Sequence, residues 1–412
     1  MLLLYNLGIR FYHLLIVLLS PFNSKAKLWL GGRKSIFKKI ASTVNPNASN
    51  IWIHCSSLGE FEQGRPVIET IKERFPDKKI VLTFFSPSGY EVRKNYKGAD
   101  FVFYLPLDTR RNAQRFLQLV NPTIAIFVKY EFWYHYLNQL KRNGISTYIV
   151  SANFRPGQVF FKKYGGWYRK FLLNFSYFFV QNEQSKALLA SIGISNVTVT
   201  GDTRFDRVAK IAVEAKSVPV VENFCKDSRV IVAGSTWPKD EEILFEYLSN
   251  APEDVKLVIA PHEVGNDRIN SIIQKSPFPV VCYSNSEDLE LAKTRILVID
   301  TIGLLSSLYR YGIIAYIGGG FGVGIHNTLE AAVYGVPVIF GPKYHKFQEA
   351  KDLIAQGAGF SINSSFEFVH LLNNLLSDRK NLKEVGNKAG YFVNSGLGAT
   401  AKIVDSIFSS EK

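Results

Sequence analysis

From Asn45 onward, short apolar runs alternate with longer polar-apolar stretches, and this alternation restricts the fold more than any other feature of the chain. The first series of runs is Ile51–His54, Ile80–Phe84, Phe101–Leu105, Ile124–Val128, Thr147–Val150, Phe178–Val180 and Val197–Thr200. Helix-length segments such as Pro66–Glu73, Arg111–Val120, Glu131–Arg142 and Glu183–Ser191 lie between them. Strands that alternate with helices need crossover connections, and crossovers build a parallel sheet buried on both faces. A second series follows: Val230–Ala233, Lys256–Ala260, Val280–Tyr283, Ile296–Ile299, Ile313–Ile317 and Val336–Phe340, before two helical stretches, Phe366–Leu376 and Ala399–Phe408.

The expected architecture is therefore α/β, with two Rossmann-like doubly wound domains facing a central cleft. At 412 residues the chain exceeds the size at which one core keeps growing. The expected division is 1–44 for an N-terminal membrane-anchoring helix and its basic flank, and 45–210 for a first, acceptor-binding domain. A linker at 211–228 holds Val218-Pro219-Val220, and 229–412 is a donor-binding domain that includes the C-terminal helices. Ligands of such sheets bind outside the carboxyl ends of the strands.

Composition narrows the partners. Apolar residues are 47% and charged ones 20% of the chain, and the net charge is +14. Nucleic acid would call for clustered Lys/Arg within a known module, which is absent, so no nucleic-acid partner is expected. Cys55, Cys225 and Cys282 are far apart and odd in number, which points away from a disulfide framework or structural zinc and toward a reducing compartment. Residues 1–22 carry one charge, Arg10, among Leu, Ile, Tyr and Phe. Lys25, Lys27, Arg33, Lys34, Lys38 and Lys39 follow with no acid before Asn45. An apolar stretch with a basic C-terminal flank predicts membrane attachment with the rest of the chain cytoplasmic. Its length suits either a short span or an in-plane anchor at an anionic surface.

The strongest local motif is Ile317-Gly318-Gly319-Gly320-Phe321-Gly322-Val323-Gly324-Ile325-His326-Asn327-Thr328-Leu329-Glu330. It reads as a strand, a glycine loop and then directly a helix. Glycines let backbone approach a bulky anion, and helix N-terminal N–H groups point at it. The spacing fits neither a dinucleotide fingerprint nor a P-loop. Asn327 and Glu330, three apart, share a helix face. Asn327 is placed to cap the helix or touch phosphate, and Glu330 to hold ribose hydroxyls; the alternative is a tight structural turn with a capped helix.

The second motif is Trp52-Ile53-His54-Cys55-Ser56-Ser57-Leu58-Gly59-Glu60. With a helix beginning near Pro66, Glu60 falls in a loop at a strand's carboxyl end, where it suits a general base taking a proton from an acceptor hydroxyl. The alternative is a helix-start acid complementing the dipole. Ser57 and Gly59 in the same loop, with Glu131 and Arg155, are expected on the acceptor side. Ser235, after the first strand of the second half, reads as a helix cap or a phosphate contact. No GxSxG elbow, HExxH or Asp-x-Asp pair is present, so neither a hydrolase triad nor a required metal is expected.

Taken in order, these segments resemble the bacterial 3-deoxy-D-manno-octulosonic acid (Kdo) transferases. The shared stretches are Trp52 to Glu60, Tyr104-Leu105-Pro106-Leu107-Asp108, Glu131-Phe132-Trp133, Gly201-Asp202-Thr203-Arg204-Phe205-Asp206, Asp300-Thr301-Ile302-Gly303, and Gly318-Gly319 through Glu330. The resemblance implies a GT-B fold and transfer of Kdo, with inversion, from CMP-Kdo to a hydroxyl of the lipid A precursor at the cytoplasmic face of the inner membrane. It implies that Glu60 matches the catalytic base, and that Pro261, His262, Ile302, Gly303, Leu304, Asn327, Thr328, Leu329 and Glu330 match donor-binding stretches. Where the family often shows Pro-Arg-His, this chain has Pro261-His262-Glu263. The family's Glu-Thr-Glu-x-Trp stands as Lys129-Tyr130-Glu131-Phe132-Trp133, and Gly-Glu-Leu as Gly303-Leu304-Leu305. A UDP-sugar transferase, a nucleotide-sugar epimerase on the same fold and a non-catalytic membrane adaptor are the competing functions.

Overall fold

The computed structural model describes residues 1–286, 291 and 294–409. It divides into two compact units, residues 1–206 with 397–412, and residues 207–396. Each is built on a parallel seven-stranded sheet.

The strands of the first unit are β1 (Asn50–Cys55), β2 (Lys79–Phe84), β3 (Phe101–Tyr104), β4 (Pro122–Val128), β5 (Ser146–Ala152), β6 (Tyr177–Val180) and β7 (Val197–Val199). All seven coincide with the apolar runs read from the sequence. Their order in the sheet is β3-β2-β1-β4-β5-β6-β7. Alternation along each strand feeds two cores. Ile51, Ile53 and Cys55 pack with Leu82, Phe61 and Ile68 on one face. Trp52, Phe103, Phe127 and Tyr136 pack on the other.

The second unit holds β8 (Arg229–Thr236), β9 (Val255–Pro261), β10 (Val280–Cys282), β11 (Ile296–Val298), β12 (Ile314–Ile317), β13 (Val338–Phe340) and β14 (Gly359–Ser361). The order is β10-β11-β9-β8-β12-β13-β14. The sequence reading missed β14, whose three residues include only one large apolar side chain, Phe360, and leave no periodic signal.

Both sheets reverse direction at one point. From β1 the chain runs outward through β2 to β3 and then returns to β4 on the other side; β8 and β12 flank the same kind of reversal. Neighbouring connections depart in opposite directions there and leave a crevice at the carboxyl ends of the strands.

Two expected boundaries need correction. Residues 211–228, expected as a linker, lie within the second unit and are largely helical, in Arg204–Glu214 and Pro219–Cys225. The final helix, Ala399–Phe408, belongs to the first unit. Ile403, Val404, Ile407 and Phe408 complete the β1 core, and Phe408 stacks on Phe75 at 4.2 Å between ring centroids. Asp206 fastens its start by accepting the Gly398 and Thr400 N–H groups at 2.6 and 2.7 Å.

The N-terminal helix Leu2–Leu19 buries none of its residues fully, and Leu3, Leu4, Leu14, Leu18 and Leu19 are exposed. One side is nevertheless held by the first unit. The Tyr5 hydroxyl donates to Asp108 and its ring meets Tyr134, Trp167 and Phe171. His135 Nε2 is 2.7 Å from Asn6 Oδ1, while Tyr12 and His13 lie against Trp29. Asp108 is buried, receives the His135 and Tyr136 N–H groups at 3.1 Å, and is pushed by that burial up to about 6. A helix gripped at residues 5–6 and again at 12–13 runs along the unit.

Truncating Phe408 to Ala should destabilise the first unit by about 3 kcal/mol, the cost of emptying a buried aromatic site. Tryptophan fluorescence in a denaturant titration checks this, since Trp29, Trp52, Trp133 and Trp167 all lie in that unit.

Candidate active site

In the first unit the candidate residues gather at the reversal between β1 and β4. The helix after β1 starts at Leu58, not near Pro66, and runs to Arg74. Glu60 is thus fixed in the first helical turn and is not in a loop. Ser57 is the N-cap, and Glu60 reaches back in a capping box. Glu60 Oε2 accepts the Ser57 N–H at 3.0 Å and the Ser57 hydroxyl. Both bonds run from Ser57 to the carboxylate; one satisfies the N-cap N–H, and together they hold the carboxylate in place. Pro66 did not mark the start because it is tolerated inside this helix, where it is buried. Gly59 is exposed beside Glu60.

Across the crevice, β4 ends at Val128 and turns sharply. Lys129 takes a left-handed φ of 70°, a conformation that costs a non-glycine residue about 1 kcal/mol or more. Tyr130 follows. Its hydroxyl donates to the Asn153 carbonyl at 2.6 Å. Burial holds the phenol above its ordinary range; Arg155 opposes the shift, while Glu60 and Asp202 add to it. Tyr130, Glu60, Arg155 and Asp202 are therefore one electrostatic neighbourhood. Arg155 is exposed. Asp202 receives Arg204 through Nε at 2.9 Å and Nη2 at 2.7 Å. Ser151, left-handed at φ 52° within an irregular stretch of β5, meets Thr203 Oγ1 at 3.0 Å.

Glu131 is turned inward. Its Oε2 accepts the Trp133 indole N–H at 2.7 Å and lies 3.2 Å from His54 Nε2. His54 Nδ1 is 2.9 Å from Thr83 Oγ1, which also accepts the Trp52 N–H at 2.8 Å. The Trp-Ile-His and Glu-Phe-Trp segments thus form one buried polar cluster behind Glu60. Sequence reading placed Glu131 toward an acceptor; its position after a strand does not show which way the carboxylate faces.

In the second unit the glycine loop occupies the reversal between β8 and β12. A Cβ on Gly318 would lie 2.3 Å from the Ser235 carbonyl oxygen, and one on Gly320 would lie 2.5 Å from Gly341 backbone. These two glycines are required by close backbone packing. Gly319 and Gly324 adopt φ of 89° and 127°. The helix expected directly after the loop is only Leu329–Ala332, a single turn, so it offers little of the cumulative dipole assumed from the sequence. Asn327 Oδ1 accepts the Leu329 N–H at 3.1 Å, and its Nδ2 donates to Glu330 Oε1 at 3.0 Å. Burial raises the Glu330 carboxyl; Asn327 and the charge of Arg207 act against that shift.

Ser235 sits left-handed at φ 53° in a bulge of β8. His262, just past Pro261 at the end of β9, stacks between Trp237 and His326 with ring centroids 4.8 and 4.6 Å away. Ile302 and Gly303 are exposed, and Leu304 leads into a helical turn whose Leu305 packs against Gly234. His326 Nε2, Thr301 Oγ1 and Thr328 Oγ1 are buried without hydrogen-bond partners. Buried polar groups are nearly always paired, so these three atoms have hydrogen-bonding capacity to offer at the strand ends.

Sequence reasoning missed Asp240, which holds the loop in place. Its Oδ2 accepts the Trp237 and Gly319 N–H groups, each at 2.9 Å, and its Oδ1 accepts the Tyr316 hydroxyl at 2.7 Å. The available signal was Pro238 at a helix start with an acid two residues on, and the tryptophan N-cap obscured it. Among the described residues no three His, Cys, Asp or Glu side chains are grouped to hold a metal ion.

Comparison with known proteins adds to this geometry. Residues 32–207 match the family model "3-Deoxy-D-manno-octulosonic-acid transferase (kdotransferase)". A 3-deoxy-D-manno-octulosonic acid transferase of Rickettsia felis is 29% identical, covering 81% of this chain and 73% of its own length. That of Aquifex aeolicus is 28% identical over 81% of this chain and 88% of its own. Among solved structures, the UDP-GlcNAc 2-epimerase of Neisseria meningitidis aligns with a TM-score of 0.61 over 87% of this chain and all of its own, at 16% identity. That likeness concerns the fold, which is GT-B.

Changing Asp240 to Asn would remove the charge that strengthens its bonds to the Trp237 and Gly319 N–H groups. The Gly319 amide should then exchange its hydrogen about 30-fold faster, the equivalent of about 2 kcal/mol of lost charged hydrogen bonding. Hydrogen-exchange measurements across residues 316–324 check it.

Proposed function

We propose that this chain, which is similar to the 3-deoxy-D-manno-octulosonic acid transferases, moves Kdo from CMP-Kdo to a hydroxyl of the lipid A precursor at a membrane surface. The observation that carries this reading is the carboxylate of Glu60, anchored by Ser57 at the crevice of the first sheet and sharing its field with Tyr130, Arg155 and Asp202.

In this reading Glu60 is the general base. Both capping bonds fall on Oε2, and the other carboxylate oxygen takes the acceptor proton. The deprotonating hydroxyl attacks the anomeric carbon of Kdo as the bond to the CMP phosphate breaks, in one inverting displacement. Holding the hydroxyl in line supplies roughly 7–11 kcal/mol of the barrier, and proton removal about 10²–10⁴-fold in rate. Arg155, exposed beside Tyr130, suits a phosphate of the acceptor.

The donor belongs to the second unit. Gly318 presents backbone near Ser235 and Gly319 near His326, and the unpaired atoms of Thr301, His326 and Thr328 supply hydrogen-bonding capacity toward CMP. Asn327 and Glu330 orient the ribose, and Pro261, His262, Ile302, Gly303, Leu304 and Leu329 line the same group of strand ends. Departure of the phosphate is assisted by loop N–H groups. No divalent metal is assigned a part.

The exposed apolar side of Leu2–Leu19 attaches the first unit to the cytoplasmic face of the inner membrane. Its mean hydropathy is 1.8, and a helix gripped along one side by Tyr5, Asn6, Tyr12 and His13 presents the opposite side to lipid. A surplus of positive charge favours both an anionic surface and a bisphosphorylated acceptor.

Transfer from CMP-Kdo to purified lipid A precursor tests the reading. Wild type should form product and Glu60→Gln should lose at least about 10²-fold in kcat. Absence of product from folded wild type with intact donor, or turnover with a UDP-sugar in its place, would refute it.

A further inference from the structure

The first unit contains a cavity that none of the Ser57–Glu60 group enters. It has a volume of about 720 Å³, within the range of about 300–1,000 Å³ that holds small ligands. The segment between Trp29 and Lys38 forms one wall, Pro106, Leu107 and Asn112 another, and His13 brings it beside the N-terminal helix.

The charge lining it is of one sign. Arg33, Lys34, Lys38 and Arg115 all border the cavity, and no Asp or Glu does. Arg33 has no carboxylate among its hydrogen-bond partners. Its Nε donates to the Leu105 carbonyl at 2.9 Å, Nη1 to that of Trp29 at 3.1 Å, and Nη2 to that of Phe85 at 2.8 Å. The guanidinium carbon lies 3.7 Å from the Trp29 ring centroid. Three carbonyls fix the group but do not neutralise it, and burial pushes it down to about 9. A half-buried cation whose hydrogen-bond partners among the described residues are all neutral carbonyls is costly to maintain unless an anion arrives.

A second observation is independent of charge. The indole N–H of Trp29, also on the wall, is buried and has no hydrogen-bond partner. Beside these donors stand the apolar faces of Leu30, Ile36, Phe37 and Leu107. Donors, cations and hydrocarbon together match an anion that carries an alkyl portion, and they match a free inorganic anion less well.

We propose that this cavity binds the headgroup of an anionic phospholipid. The proposal rests on the membrane attachment inferred above and adds a specific seat to it. Arg33 and the Trp29 N–H take the phosphate, while Lys34, Lys38 and Arg115, all exposed, close around it from solvent. The glycerol and first methylenes lie on the apolar wall. The site thereby adds a headgroup-specific contact beside the N-terminal helix, which an apolar helix face cannot supply by itself.

Co-sedimentation of the full chain with vesicles is the test, comparing phosphatidylcholine alone with phosphatidylcholine mixed with phosphatidylglycerol. The variant Lys34→Gln/Lys38→Gln/Arg115→Gln leaves half-buried Arg33 in place. Three lipid-facing charges predict about a 10²-fold weaker preference for the anionic vesicles. A control, Lys380→Gln/Lys383→Gln/Lys388→Gln, removes equal charge from exposed positions of the second unit and should lose about threefold or less. Equal losses in the two variants, or none in the first, overturn the proposal while leaving membrane attachment intact. Wild type that binds neither vesicle refutes the attachment itself. Displacement from the vesicles by inorganic phosphate at unchanged ionic strength would show a free-anion site and likewise overturn the lipid assignment.

Discussion

Everything functional in this molecule depends on a constraint of parallel sheets. A strand that returns in the same direction needs a crossover, and in a doubly wound sheet the crossovers on one side give way at one point to crossovers on the other. At that point, between β1 and β4 in one unit and between β8 and β12 in the other, no connection covers the carboxyl ends. Glu60 and Tyr130 occupy the first opening, and the glycine loop with Ser235 occupies the second. The residues differ entirely between the units, yet the opening is the same.

Each opening is bounded by backbone held in uncommon conformations. Lys129, Ser151 and Ser235 are left-handed without being glycine, and Gly319 and Gly324 are left-handed too. Such strain persists only when surrounding contacts over-determine it. Here those contacts are identifiable: Ser151 meets Thr203, which reaches the Gln63 carbonyl at 2.5 Å, and Gly319 is tied to Asp240. Behind Glu60, the His54–Glu131–Trp133–Thr83 cluster fixes the ends of β1, β2 and β4 relative to one another. A fully satisfied buried network of this kind rigidifies what it supports.

The N-terminal segment solves a different problem. An apolar helix that must meet lipid and also keep a defined relation to a folded unit needs two unlike sides. Tyr5 and Asn6 supply polar attachment to Asp108 and His135, while leucines supply the lipid side. Arg33, stacked on Trp29 and bonded to three carbonyls, carries the same arrangement into the next helix, Ser24–Arg33: apolar packing with a charge kept available.

The sequence by itself determined the fold class and thirteen of the fourteen strands among the described residues, and it pointed to both candidate sites, because continuous apolar runs and glycine clusters act locally and leave local marks. It also identified Glu60, Arg155, Asn327 and Glu330 as residues with chemistry to offer. It did not determine the start of the helix bearing Glu60, since a capping box competes with a proline that the helix tolerates. It did not send Glu131 inward, make the helix after the glycine loop a single turn, or reveal Asp240 and the Arg33 cavity. Nor did it return residues 397–412 to the first unit, where Asp206 receives them across 192 positions. These were decided by contacts between residues far apart in the chain. Which partner a carboxylate or a terminal helix finds depends on the surface that the rest of the fold presents to it, and no local pattern contains that surface.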